Sequence, residues 1–496
     1  MRLTSIIFLL IATAALFLAD ISITTFDPWQ ELGQIAGGFV TPDFFSLRFY
    51  GSALLNTISF ALVGIAAAVV LGALLALFFD HTAVRLFAAF IRSIHEIFWA
   101  FLLMPIVGLN SLCGILAITI PFAGVFGKVF AEIYQEADPE PAKALPPSSS
   151  RISRFIYGEL PIIYGDLKNY TSYRFECALR SSAVLGFIGL PTLGYHLETA
   201  FREAMYSEAA ALLYLFYLLI LSLRFWVKPT TVLPVLLVAV LFTSWETSFS
   251  LSNVVRFFTY DILPWPMRAE GFYNGSNIIH FQIVPLLQWL YDIVVSMAIP
   301  GAVNTLILTQ VALVCTAIFT LVVFPFASRK FYSQKVTAPF QLLLVILRTT
   351  PEYILAYMFL QLWGPSMLPA VFALFLHNGA ILAHLSSLNV NLMSLPFDTT
   401  KQRVNRYLYE VLPRSYGQFL AFLFYRWEVI MRESAILGIL GVYTLGHYID
   451  SAISEDHLDV AILLILITAL INILIDTLSQ LIRRKLRLSV TLVTKS

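Results

Sequence analysis

One stretch of the chain occurs twice. Tyr173 to Gly194 reads YRFECALRSSAVLGFIGLPTLG, and Tyr425 to Gly446 reads YRWEVIMRESAILGILGVYTLG, 252 residues later and without a gap. The repeated residues include Tyr173/Tyr425, Arg174/Arg426, Glu176/Glu428, Arg180/Arg432, Ser182/Ser434, Gly186/Gly438, Gly189/Gly441 and Gly194/Gly446. A chance repeat in an apolar chain would reuse Leu and Val. This one reuses Arg-x-Glu-x-x-x-Arg, a pattern costly to keep in apolar surroundings unless its charges pair or face a cavity. A repeat on this scale sets the fold before any local pattern does.

The surroundings are indeed apolar. Of the 496 residues, 59% are hydrophobic and 12% charged, and the mean hydropathy is +0.81. Soluble domains carry about 25% charged residues, so the composition predicts an all-α integral membrane protein. The net charge of +1 says nothing about partners, and no nucleic-acid partner is expected. Cys113, Cys177 and Cys315 stand far apart in apolar runs, as small core residues do.

A membrane helix needs about twenty apolar residues. Candidates lie near 4–20, 52–79, 86–107, 109–133, 162–190 and 204–226, then near 230–249, 297–327, 338–362, 364–392, 414–442 and 457–482. The first resembles a signal peptide, and an uncleaved helix and a cleaved leader are its two readings. Basic residues mark alternate loops: Arg85; Lys143, Arg151 and Arg154; Arg224 and Lys228; Arg329, Lys330 and Lys335; Lys401, Arg403, Arg406 and Arg414; and the tail from Arg483. Acidic residues mark the others, among them Asp20, Asp27, Glu198, Glu203, Asp450 and Glu455. The positive-inside bias places both termini in the cytoplasm. Six helices per half makes the repeats parallel, with halves 1–226 and 227–496.

Shorter matches extend the duplication. LLNT (54–57) pairs with AVNT (302–305), and FIRSIHEIFWAF (90–101) pairs with ILRTTPEYILAY (346–357). Arg92–Glu96, Arg348–Glu352, Glu176–Arg180 and Glu428–Arg432 are all spaced i,i+4, which on one helix puts each pair on one face. Arg174 and Arg426 have no acid at that spacing.

No catalytic set emerges, so no enzyme activity is expected. GVFGK (124–128) lacks the glycine spacing of a phosphate-binding loop. No metal-ligand motif is present. His377 and His384 lie seven apart on roughly one helical face, a proton relay or two hydrogen-bonded core histidines.

At this point the residues resemble a known family. RSIHEIFWAF (92–101), PFAGVFGKVFAEIYQEADP (121–139), Leu160-Pro161 and YRFECALRSSAVLGFIG (173–189) are similar to the permease subunit of phosphonate-type ABC importers. That family shows RSIPELVWA, a GVLGKL-like helix, an EAL…G…LP cytoplasmic motif and YRFE followed by RSATVLG. The second half matches more loosely, through RTTPEYILA, LHNGAILAHL (376–385), Leu412-Pro413 and YRWEVIMRESAILGILG. The chain thus resembles two permease halves fused into one.

The resemblance implies the type I importer transmembrane fold, a bacterial inner-membrane location and transport of phosphonate or a related oxyanion such as phosphite or phosphate. It implies two cytoplasmic ABC ATPase subunits that use ATP and Mg²⁺, no cofactor on this chain, and a periplasmic or extracellular binding protein. ATPase docking falls on Lys143, Ala144, Leu145, Arg151, Arg154, Leu160 and Pro161, and on Arg403, Arg406, Leu412 and Pro413. Lys143-Ala144-Leu145 stands where the family has EAL, Ser148 to Ser150 where it has glycine, and the second half lacks the EAL portion. The two docking sites are therefore expected to be unequal.

The repeated charges have two readings, a structural ion pair or a basic lining for an anion. Candidates for the lining are Arg174, Glu176, Arg180, Arg426, Glu428 and Arg432. Arg suits phosphonate oxygens because its planar fork binds two at once. Gly186, Gly189, Gly438 and Gly441 permit a gate or close helix packing. A secondary transporter with parallel repeats and an uncoupled membrane scaffold are the alternative functions.

Overall fold

Apolar runs of this length satisfy their backbone internally only as helices. The computed structural model describes residues 2–45, 50–137, 145–146, 149–150, 153, 155–245, 249–268, 283–394 and 402–486, and these contain helices and no strand. The main helices are α1 (Arg2–Leu18), α2 (Pro28–Val40), α3 (Tyr50–Leu77), α4 (Thr82–Ser93), α5 (Glu96–Val107), α6 (Ser111–Glu136), α7 (Leu160–Val184), α8 (Leu193–Arg202), α9 (Tyr206–Trp226) and α10 (Pro229–Phe242). The second half continues with α11 (Ile283–Ile293), α12 (Ile299–Ala327), α13 (Gln334–Thr349), α14 (Glu352–Trp363), α15 (Met367–Leu392), α16 (Leu412–Leu437), α17 (Leu445–Ser454) and α18 (Leu458–Lys485).

Among the described residues, six helices are long and apolar enough to cross a membrane, or up to nine if each of three bent pairs is one span. This is an all-α, multi-pass membrane protein. Leu3–Leu18 and Thr230–Phe242 are apolar but shorter. The span expected near 414–442 lies on α16, whose Arg and Glu residues keep it out of the apolar set. The span expected near 297–327 begins earlier, because a π turn at Val294–Ala298 joins α11 to α12.

Two expected spans are elbows. α4 and α5 meet at 94°, and so do α13 and α14. Pro351 cannot continue the helix before it. His95 breaks the other elbow by turning its own Nδ1 back to accept from Ile97 N–H, 3.3 Å away. Arg92 thus ends one helix and Glu96 begins the next, as do Arg348 and Glu352. The expectation that these pairs share a helical face is overturned. Each Glu instead sits in a first turn, where the helix dipole favours a carboxylate.

The compact units divide the chain differently from the repeat. One comprises 1–34 with 259–496, the other 35–258. The body of each half therefore keeps company with the other half's leading helix. In the discontinuous unit, α1 packs on α12. Phe8 there meets the rings of Phe424 and Trp427 edge-on at 5.2 and 5.1 Å, and Gln310 Nε2 donates to the Phe8 carbonyl at 3.2 Å. In the continuous unit, α10 packs on α3.

The core of the continuous unit is α3 against α6. Small residues at Gly64, Ala68 and Gly72 recur every four positions along α3. A Cβ at Gly64 would stand 3.0 Å from Ile118, and one at Gly72 would meet the Phe126 Cβ. Spacing of this kind lets two backbones approach in lipid, where dispersion rather than the hydrophobic effect drives association. Ala312, Thr316 and Thr320 repeat that spacing on α12, each fully buried.

Candidate functional site

The twofold Arg–Glu stretch lies on α7 and α16. After each helix the chain bends, by 52° where α7 leads into α8. Gly189 (φ +93°) and Gly441 (φ +86°) take the left-handed backbone that Gly alone adopts cheaply. A Cβ on Gly194 would collide with the Ala183 carbonyl, and one on Gly446 with the Ala435 carbonyl. Gly186 and Gly438 press equally closely on the peptides of 194–195 and 446–447.

The repeated Asn-Thr of LLNT and AVNT holds this turn. Asn56 Nδ2 donates to the Pro191 carbonyl at 2.9 Å, and Asn304 Nδ2 to the Tyr443 carbonyl at 2.8 Å. Thr57 Oγ1 accepts from Leu193 N–H at 2.9 Å, and Thr305 Oγ1 from Leu445 N–H at 3.0 Å. Each buried Thr satisfies an N–H at the head of the next helix, which has no partner inside its own helix.

The charged residues differ between the copies. Arg180 Nη2 lies 3.6 Å from Glu176 Oε1, the expected i,i+4 pair. Arg174 Nε donates to the Tyr170 hydroxyl at 2.7 Å, and its guanidinium stacks over the Tyr170 and Tyr173 rings at 5.1 and 5.5 Å. Arg426 instead reaches across to α15, where its Nη1 donates to Asn378 Oδ1 at 3.3 Å. Glu428 and Arg432 share α16 with it.

Beside each stretch stands an elbow acid. In the continuous unit Ser181 Oγ donates a short hydrogen bond to Glu96 Oε1, and His95 Nδ1 lies 3.8 Å from Glu96 Oε2. In the discontinuous unit Glu352 is joined by two further groups. His377 Nε2 lies 3.8 Å from Glu352 Oε2, and Glu433 Oε2 accepts from Asn378 Nδ2 at 2.8 Å. Polar atoms of Glu352, His377 and Glu433 all lie within 4.8 Å of one another. Spacing alone showed no metal-ligand cluster, because these three donors come from different helices. Their sequence signals are mismatches: Glu433 occupies the place of Ser181 in the repeat, and His377 that of Pro121.

The docking candidates are partly visible. Leu160 and Pro161 open α7, and Leu412 and Pro413 open α16. Each follows a π turn, at Phe155–Glu159 and Arg406–Val411. The second is well anchored. Tyr407 donates to the Leu321 carbonyl at 2.8 Å, Arg406 to the Lys330 carbonyl at 3.0 Å, and Arg403 stacks on Tyr332 at 4.9 Å. Leu145 lies in a short described stretch. Lys143, Ala144, Arg151 and Arg154 lie outside the described residues.

No family model matches the chain, and no solved structure matches it. Curated relatives do. The phosphate-import permease protein PhnE of Mycolicibacterium smegmatis is 24% identical over 438 residues, which cover 82% of this chain and 79% of the relative. The phosphite transport system permease protein PtxC of Stutzerimonas stutzeri is 28% identical over 195 residues, 37% of this chain and 70% of the relative. The putative cryptic phosphonate transport system permease protein PhnE2 of Escherichia coli is 30% identical over 111 residues, 22% of this chain and 91% of the relative. With that match along nearly the whole of one relative, and a repeat that carries the same residues into both halves, this chain belongs to the family of phosphonate-, phosphite- and phosphate-transport permease proteins.

Proposed function

We propose that this chain is the membrane-spanning permease of an ATP-driven ABC importer for phosphonate or a related oxyanion such as phosphite or phosphate. The alignment with a phosphate-import permease over 82% of the chain supports this reading most, because it runs through both halves. In this reading the chain lies in a bacterial inner membrane with both termini cytoplasmic. Two ATPase subunits hydrolyse ATP with Mg²⁺ and dock where the π turns lead into Leu160-Pro161 and Leu412-Pro413. A separate binding protein delivers the anion. The chain itself catalyses nothing.

Arg174 and Arg426 supply positive charge along the path. Neither forms its ion pair at i±4 within its own helix, and both stand at equivalent places in the repeat. Binding there stays weak, since a path must release its cargo. The test is uptake of labelled phosphite and phosphonate by proteoliposomes holding the chain with its co-purified ATPase. The expected result is ATP-dependent uptake, slowed by about tenfold or more in Arg174→Gln and Arg426→Gln, the loss of one charge-assisted hydrogen bond. Failure of any ATPase to co-purify would sink the importer reading. Normal uptake by both variants would leave the arginines structural.

One observation favours a second reading. Ionisable groups among membrane helices often form proton relays, and Glu352, His377 and Glu433, buried or partly buried, are such a group. Secondary transport would then follow the proton gradient, collapse with a protonophore and ignore nucleotide.

A further inference from the structure

We propose that Glu352, His377 and Glu433 form a binding site for a divalent first-row transition metal. Their ligand-capable atoms converge within 4.8 Å. His377 is 2% exposed and Glu352 8% exposed. Donors around one tetrahedral ion stand about 3.4 Å apart at metal–ligand distances near 2.1 Å. Rotation of the carboxylates by about an ångström therefore closes the group on an ion.

The imidazole is already set for ligation. His377 Nδ1 lies 2.9 Å from the Thr350 carbonyl. A carbonyl only accepts, so Nδ1 carries the proton. In the neutral ring Nε2 then presents its lone pair, on the side of Glu352. A ring nitrogen tied to a backbone carbonyl while the other faces the metal is the usual outer-shell arrangement of a histidine ligand. Glu433 is held in the same way. Asn378 donates to its Oε2, and Arg426 fixes that amide by donating to Asn378 Oδ1.

The repeat shows that this convergence is particular to one half. The positions equivalent to His377 and Glu433 are Pro121 and Ser181. Neither ligates a metal well, and only the elbow acid, Glu96, is common to both halves. One imidazole and two carboxylates suit Zn²⁺, Mn²⁺ or Fe²⁺ and leave a coordination position open.

The test uses the full chain in detergent micelles, stripped with chelator and titrated with zinc chloride. Metal is measured by mass spectrometry after desalting. The expected result is one zinc per wild-type chain and at least tenfold weaker binding in Glu433→Ser and His377→Gln. Glu433→Ser introduces the residue that the first half already uses, and Glu433→Gln serves if it does not fold. Zinc should raise the thermal midpoint of the wild type and not that of the variants. Cobalt should give visible absorption bands that His377→Gln abolishes. Wild-type protein without zinc above the buffer blank overturns the proposal, which is the result if a proton on His377 Nε2 takes the cation's place. Equal zinc binding by wild type and both variants overturns it too. Metal content is read without transport, so a negative result leaves the importer reading standing.

Discussion

The elbow of α4 and α5 and the elbow of α13 and α14 bend by the same 94° and carry the same acid in the same first turn. Around Glu96 the neighbours are a serine hydroxyl and a histidine of its own loop. Around Glu352 they are a histidine from α15 and a second Glu from α16, bridged by an amide to an Arg. The scaffold of the duplication has been kept and its polar contents have not. Backbone devices such as the Gly crossing and the Asn-Thr clamp are duplicated within about 0.1 Å in their hydrogen bonds. Across the helix interface, the side chain facing the elbow acid has diverged from a serine to a histidine and a second Glu. Geometry in this fold is thus held by residues common to both halves, while the chemistry around the elbow acid differs in one half alone.

The largest test of that division strikes the crossing. Gly194→Ala and Gly446→Ala each place a Cβ against a backbone carbonyl that cannot move aside. Each should cost about 4 kcal/mol or more, read as loss of monodisperse protein from detergent extracts. Tolerance of either one would break the equivalence of the halves.

Next comes the divergent half. Asn378→Leu removes the amide between Arg426 and Glu433 and should cost about 2 kcal/mol, as for hydrogen bonds to charged groups, seen as a lowered unfolding midpoint. The equivalent residue Phe122 is already apolar, so Phe122→Leu should cost less. A larger fall for Phe122→Leu would show that packing, not the polar group, governs this position.

The clamp follows. Thr57→Val and Thr305→Val each strand a buried helix-head N–H, at least about 1 kcal/mol. The two shifts should match, and unequal shifts would mean that the two turns are not held alike. Arg180→Gln leaves Glu176 without its i,i+4 partner and should lower the midpoint by the smallest amount. Glu176 is more than a third exposed, and pairing at such sites contributes little.

Much of this was legible in the chain as letters. The repeat, the apolar runs and the Gly-rich turn all leave local patterns. The elbows did not, because Arg92 and Glu96 have ideal helical spacing and only a backbone break between them separates their faces. His95 gives no breaking signal of the kind Pro351 does. The polar group at Glu352 escaped because reading a repeat rewards matches. Its signs were the mismatches of Ser181 with Glu433 and of Pro121 with His377. The pairing of α1 with α12 was invisible for another reason: nothing in an apolar helix names its distant partner.

That pairing has a consequence for how the protein is made. Residues 35–258 are one continuous segment, so their unit is complete once α10 and the short turns after it have left the ribosome. The other unit takes α1 from before that segment and the helices from α11 to α18 from after it. Its α1 gains its Phe8 contacts only once Phe424 and Trp427 have been synthesised. Domains generally assemble as synthesis proceeds, so the continuous unit matures early and the other closes last. A ribosome stalled after α10 would carry one finished unit and an orphan helix, the species on which membrane quality control would act.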